Sequence, residues 1–217
     1  MRYRLFAVGA MVIVMAASAY AQANDLRKLV ESSTPMGIQA AIRQGGDVNA
    51  RDDDGLTVLM HAARYNQDPE AISTLCAAGA EINARDMYGM TALMIAAEYN
   101  HNPEVIKTLL VSGADLHARD MYGMTVLMAA AIGNPNAEAV SSLLKAGSDL
   151  NARDTTEMTP LMYSVANPNP VVIITLLEAG ADAKAKDMQS RTAADRARKN
   201  DKLRGTVAYR KLVEAQH

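Results

Sequence analysis

One interval governs this chain: its 217 residues repeat themselves every 34. The stretches that open at Thr57, Thr91, Thr125 and Thr159 read TVLMHAA, TALMIAA, TVLMAAA and TPLMYSV. Gly45, Gly79, Gly113 and Gly147 keep the same step, with Gly180 following after 33 residues. Asp52, Asp86, Asp120, Asp154 and Asp187 form a third series with steps of 34, 34, 34 and 33. Three series in register define a tandem array, in which each unit is too short to bury its own apolar face and must use its neighbours as walls. Composition agrees. The chain has 14 Met, one Phe and no Trp, so it lacks the rigid aromatic mass of a single large core. At 49% hydrophobic and 21% charged residues it is too apolar for a disordered protein.

Within a unit the spacing predicts two helices. Leu93, Ala96 and Ala97 fall at i, i+3 and i+4 on one face. The turn Tyr99-Asn100-His101-Asn102 follows, and Pro103 then sits at the first position of a second helix with Asn102 as its N-cap and Glu104 in its first turn. Pro35, Pro69 and Pro170 occupy the equivalent position. Ile106, Leu109 and Leu110 face inward, and the helix ends at Gly113, which can adopt the left-handed cap conformation. A loop ending in Asp120-Met121-Tyr122-Gly123 leads to the next unit. Alanines such as Ala62, Ala63, Ala96 and Ala97 let first helices approach closely. Cys76, the one cysteine, occupies the slot of Leu110, Leu144 and Leu177 and reads as a small buried hydrophobe; alone, it forms no intrachain disulfide.

These residues resemble ankyrin repeats. The family's threonine-proline-leucine-histidine opening corresponds to Thr57-Val58-Leu59-Met60, Thr91-Ala92-Leu93-Met94, Thr125-Val126-Leu127-Met128 and Thr159-Pro160-Leu161-Met162. Its glycine-alanine-aspartate and asparagine-alanine ending corresponds to Gly79 to Ala84, Gly113 to Ala118 and Gly147 to Ala152. The resemblance implies an all-α solenoid of stacked helix-turn-helix units with projecting β-turn loops. Three departures stand out. Methionine replaces the histidine, exchanging a hydrogen-bonding ring for an apolar filler. The extra residue of the 34-residue unit falls in the turn between the helices. Glu157 and Ser190 replace the loop glycine of Gly55, Gly89 and Gly123, which predicts distorted or weaker turns there.

The repeats divide as 53–86, 87–120, 121–154 and 155–187, between an N-terminal cap at 24–52 and a C-terminal cap at 188–217. Residues 1–23 read as a secretory signal: Arg2 and Arg4 precede the apolar run Leu5 to Ala17, and Ala19-Tyr20-Ala21 or Ala21-Gln22-Ala23 offers a cleavage site. An uncleaved anchor is the alternative, at the short edge of the roughly 20 residues needed to span. Cleavage implies a periplasmic or secreted, bacterial protein with no other membrane attachment.

Catalytic patterns are lacking. His61, His101, His117 and His217 are neither paired at i, i+4 nor clustered with acids, and no nucleophile elbow or phosphate-cradling glycine loop occurs. Asp52-Asp53-Asp54-Gly55 reads as a turn rather than a calcium loop, because Ala50 stands where a ligand is required. Neither enzyme activity nor a cofactor is expected.

Binding is the better expectation. Ankyrin repeats meet partners through loop tips and the exposed side of the first helices, and the positions that match carry Tyr65, Met87, Tyr88, Met90, Tyr99, Met121, Tyr122, Met124, Met158 and Tyr163. Ile95, Glu98 and Ile132 map to the same face. Five of the six tyrosines after residue 23 fall on it. Tyrosine offers a large apolar body with a polar tip, and methionine a conformable one, so a protein partner and a scaffold or inhibitor role follow. Simple loop-to-loop packing, in a purely structural repeat domain, is the competing reading. A second is copper handling by the 11 methionines after Asn24. Charge is lopsided: residues 24–183 hold 10 basic and 20 acidic side chains, net −10, whereas 184–217 hold 10 and 4, net +6. That basic end reads as a solvated cap, not a nucleic-acid site. The array is expected to be monomeric.

Overall fold

The computed structural model describes residues 26–216; the signal read at 1–23 lies outside the described residues. Among the described residues twelve helices run in order: α1 (26–30), α2 (Pro35–Arg43), α3 (Val58–Tyr65), α4 (Pro69–Ala77), α5 (Ala92–Tyr99) and α6 (Pro103–Val111), then α7 (Val126–Gly133), α8 (Ala137–Lys145), α9 (Pro160–Ser164), α10 (Val171–Glu178), α11 (Ala193–Ala197) and α12 (Val207–Glu214). Among the described residues there is no strand, only the isolated bridges Arg51–Thr57 and Arg119–Thr125. None of the described helices is long and apolar enough to cross a membrane.

Local chemistry fixes the helix ends. Thr57, Thr91, Thr125, Thr159 and Thr192 are extended N-caps whose hydroxyls accept the N–H three residues on. Methionine does more here than fill space. The sulfurs of Met60 and Met128 accept the backbone N–H of Thr57 at 3.3 Å and of Thr125 at 3.4 Å, closing a reciprocal capping box. Proline opens α2, α4 and α6, and Asn102 Oδ1 accepts Glu104 N–H at 3.0 Å, as the sequence implies. Pro170 stands one residue ahead of α10, with Asn169 Oδ1 accepting the Val171 N–H.

Odd-numbered helices pack on one another in sequence, α3 on α5, α5 on α7, α7 on α9 and α9 on α11. Even-numbered helices form a second row behind them, from α2 to α12. The core runs along the seam between rows. Ala62, Ala63, Ala96, Ala97, Ala130 and Ala131 are fully buried in the first row, and Ile72, Leu75, Ile106, Leu109, Val140 and Leu143 in the second. Met60, Met94, Met128 and Met162 are core residues too.

A polar ladder stitches the first row together. Asn100 ends α5 with no exposure, and its Nδ2 donates to Ala63 O at 2.8 Å and Asn66 O at 2.9 Å in the preceding unit. Asn134 does the same to Ala97 and Asn100, Asn167 to Ala131 and Asn134, and Asn66 to Val30 and Ser33. Each Oδ1 accepts the N–H two residues on, as Asn134 does from Asn136 at 2.9 Å. The carbonyls that a helix C-terminus leaves unpaired are thus satisfied by the next unit's amide. Asn102, Asn136 and Asn169 in the same turns form a second row of bonds, to Gln67 O, His101 O and Pro135 O.

Candidate protein-binding surface

The loops that carry the predicted site are built alike. Asp86 Oδ1 accepts two loop N–H groups, Tyr88 at 2.9 Å and Met90 at 2.8 Å, and Asp120 treats Tyr122 and Met124 the same way. Successive loops are joined directly, Met87 N–H to Asp54 O, Met121 N–H to Tyr88 O at 3.0 Å and Thr155 N–H to Tyr122 O. Arginines lock the base of each loop: Arg85 Nη1 donates to Gly89 O in its own loop and to Arg119 O in the next, and Arg51, Arg119 and Arg153 repeat the pattern. Rigid loops therefore hold the tips in fixed spacing.

Gly89 has φ +81°, and a Cβ there would lie 3.1 Å from Met121 N. Glu157 and Ser190 adopt the same left-handed conformation, at φ 65° and 58°, and keep the turn bonds Glu157 N–H to Asp154 O and Ser190 N–H to Asp187 O. The expected distortion does not occur; the turn geometry is retained and the cost is carried by the backbone conformation.

Six of the ten predicted residues stand in solvent. Tyr65, Met87, Tyr88, Tyr99, Met121 and Tyr122 are 40–61% exposed. Met90, Met124 and Met158 are half-buried, packed on the core below the tips, and so is Tyr163. Tyr163 is committed elsewhere: its hydroxyl donates to Asp154 Oδ2 at 2.6 Å. Burial and that carboxylate push the phenol well above its usual value; Asp154 is held low, because the bonds from Tyr163, Met158 and Thr156 outweigh burial's opposing effect. One further expectation on this face is corrected. Ile95 is 3% exposed, because α5 is clasped between α3 and α7, and Ile132 is half-buried.

Tyr65 and Tyr99 share a cation. The Arg64 guanidinium carbon lies 4.2 Å from the Tyr99 ring centre and 5.3 Å from that of Tyr65. Burial raises the Glu98 carboxyl against the opposing influence of Tyr99 and Arg64, and desolvation with Glu98 alongside pushes the Tyr99 phenol to about 12. Next to Tyr163 lies a hollow of about 410 Å³ whose wall includes Met158, Arg191, Arg196 and Lys199. Repeat periodicity does not mark that hollow, since it forms where the last regular unit meets the charged cap. At the other end His61 lies between carboxylates, with Nε2 2.9 Å from Asp52 Oδ2 and Nδ1 3.4 Å from Glu31 Oε1.

Among the described residues no three His, Cys, Asp or Glu side chains gather as metal ligands. The thioethers at the helix openings are in the core, and two already accept N–H groups.

Paired helices stacked in two rows, with tied loops between them, define a repeat solenoid that presents a surface. The family model for ankyrin repeats (3 copies) matches residues 14–120 and again 99–187, so the chain belongs to the ankyrin repeat family. Ankyrin repeats generally mediate protein–protein interaction and are typically non-enzymatic. A comparison with the curated proteins gave no match.

Proposed function

We propose that the protein is an exported, monomeric binding module, a scaffold or inhibitor that captures a protein partner on its tyrosine- and methionine-rich loop face. One observation carries this reading: Tyr65, Met87, Tyr88, Tyr99, Met121 and Tyr122 stand in solvent on consecutive units, four of them tyrosines, whereas the other exposed large apolar side chains, Met36, Val111, Val171, Met188 and Val207, include no aromatic ring. Exposed tyrosine and methionine side chains held on tied loops suit the surface of a protein partner. Met90, Met124 and Met158 give them a conformable floor. Loop-to-loop packing does not need these side chains, because backbone and arginine bonds already join the loops.

The test is capture of the partner from the native exported fraction by residues 24–217, with wild type and Tyr88→Ala/Tyr122→Ala compared side by side. Wild type retains a specific protein and the double variant loses it, with thermal unfolding nearly unchanged. Equal capture by both would put the surface elsewhere. Export rests on residues 1–23, and a native protein whose first residue precedes Ala21 would refute cleavage there.

A further inference from the structure

The five turn aspartates permit a comparison within one molecule. Each uses Oδ1 for two loop N–H groups. Their second oxygens differ. In three units a donor nine residues further on meets Oδ2: His61 Nε2 on Asp52 at 2.9 Å, Tyr163 hydroxyl on Asp154 at 2.6 Å, and Arg196 on Asp187 through Nε at 3.0 Å and through Nη2. The two central units place Ile95 and Ala129 at that position, and neither side chain has a donor. Among the described residues no hydrogen bond reaches Oδ2 of Asp86 or Asp120, and both aspartates are partly exposed.

These two carboxylates lie at the bases of the loops that carry Tyr88 and Tyr122. Asp120 is close enough to Glu98 for its charge to act on that carboxyl, which also feels the Arg64 cation. The chain shows in cis how such a place is filled. Arg196 seats a guanidinium on the equivalent Asp187, and Arg64 lays one over Tyr99 at 4.2 Å. Charge over residues 24–183, 20 acidic against 10 basic side chains, favours a cationic visitor and repels phosphate polymers.

We propose that Asp86 and Asp120 receive arginine or lysine side chains from a basic segment of the protein partner, with the Tyr88 and Tyr122 rings packing against the aliphatic stems and guanidinium planes. This rests on the binding reading above and adds the chemistry of the partner to it. The central units would then obtain from outside the donor that the flanking units carry themselves.

The test uses residues 24–217 and a random peptide display library as the probe. Selection on wild type enriches arginine and lysine beside apolar residues, and the selected peptides bind less tightly at high salt. Asp86→Asn/Asp120→Asn keeps an Oδ1 to accept the loop N–H groups, so it leaves circular dichroism and melting close to wild type while weakening those peptides at least ~10-fold, as expected for loss of desolvated charge pairs. Tyr88→Ala/Tyr122→Ala weakens every selected peptide. No enrichment of basic residues, or equal binding by the Asn variant, overturns the proposal. If the tyrosine variant still matters in that case, the binding surface stands and only its cationic specificity falls; if neither variant matters, both readings fall.

Discussion

Asn134→Ala strikes the middle of the ladder that joins the first-row helices. The Asn134 side chain is fully buried, donating to Ala97 O at 2.9 Å and Asn100 O at 2.8 Å and accepting the Asn136 N–H at 2.9 Å. Three hydrogen bonds at about 1 kcal/mol net each, with carbonyls then left dry at the end of α5, put the loss at about 3–5 kcal/mol. Against the roughly 5–15 kcal/mol of an ordinary domain that is a severe lesion. Asn102→Ala supplies the comparison, because Asn102 is only partly buried, caps α6 and makes a single inter-unit bond, to Gln67 O at 2.7 Å, so that its removal costs about 1–2 kcal/mol. Urea unfolding of residues 24–217, followed by far-ultraviolet circular dichroism, measures both. Nearest-neighbour coupling concentrates the damage on the α5–α7 seam, so the Asn134 variant also unfolds over a broader range of urea. Asn134→Asp, which keeps the shape and loses the donor, destabilises further at neutral pH by placing a carboxylate against two carbonyls. If Asn134→Ala costs no more than Asn102→Ala, then water replaces the amide easily and the ladder is not what holds the units together.

Four further variants test the loops and the groups that bind them. Gly89→Ala places a methyl 3.1 Å from a backbone nitrogen at φ +81° and destabilises by about 1–2 kcal/mol, whereas Ser190→Gly relieves a strained residue and raises urea stability by up to ~1 kcal/mol. Tyr163→Phe removes the 2.6 Å bond to Asp154, costs about 1–3 kcal/mol and lets the Asp154 carboxyl titrate at higher pH, which carbon-detected NMR reads directly. Burial opposes ionisation of Asp187, but N–H groups of Arg191 and Gln189 and the Arg196 and Arg191 guanidinia prevail and hold it at about 2. Its folded value is below its unfolded one, so its stabilisation is present above pH 3.8 and is lost as pH falls through about 2; Asp187→Asn flattens acid unfolding over that window, and an unchanged acid limb would refute the assignment.

The array was legible because its determinants are local. Threonine caps, proline at a first helical position and glycine beyond a last one act within a few residues, so Thr91, Pro103 and Gly113 announce their helices unaided. Asn66, Asn100, Asn134, Asn167 and Asn200 repeat with steps of 34, 34, 33 and 33, yet their role is invisible along the chain. An asparagine in a turn reads as solvated polarity until stacking brings another unit's carbonyls within 3 Å of its amide. Ile95 was misplaced for a related reason: a position matched to an exposed face is covered when both neighbouring helices close over it. The site was legible where side chains project from loop tips and obscure where they engage other groups, as Tyr163 does with Asp154 and Arg64 with Tyr99.

Two arginines at the loop bases, Arg85 and Arg119, address the following unit through its main chain, meeting the carbonyls of residues 119 and 153; Arg51 meets that of residue 85 and adds an ion pair to Glu81. A main-chain oxygen is the same in every residue, so the join makes no demand on which side chains come next. Copying one unit in the gene would insert a paragraph whose first and last words already agree with the text on either side, while the exposed tips remain free to be rewritten for a new correspondent.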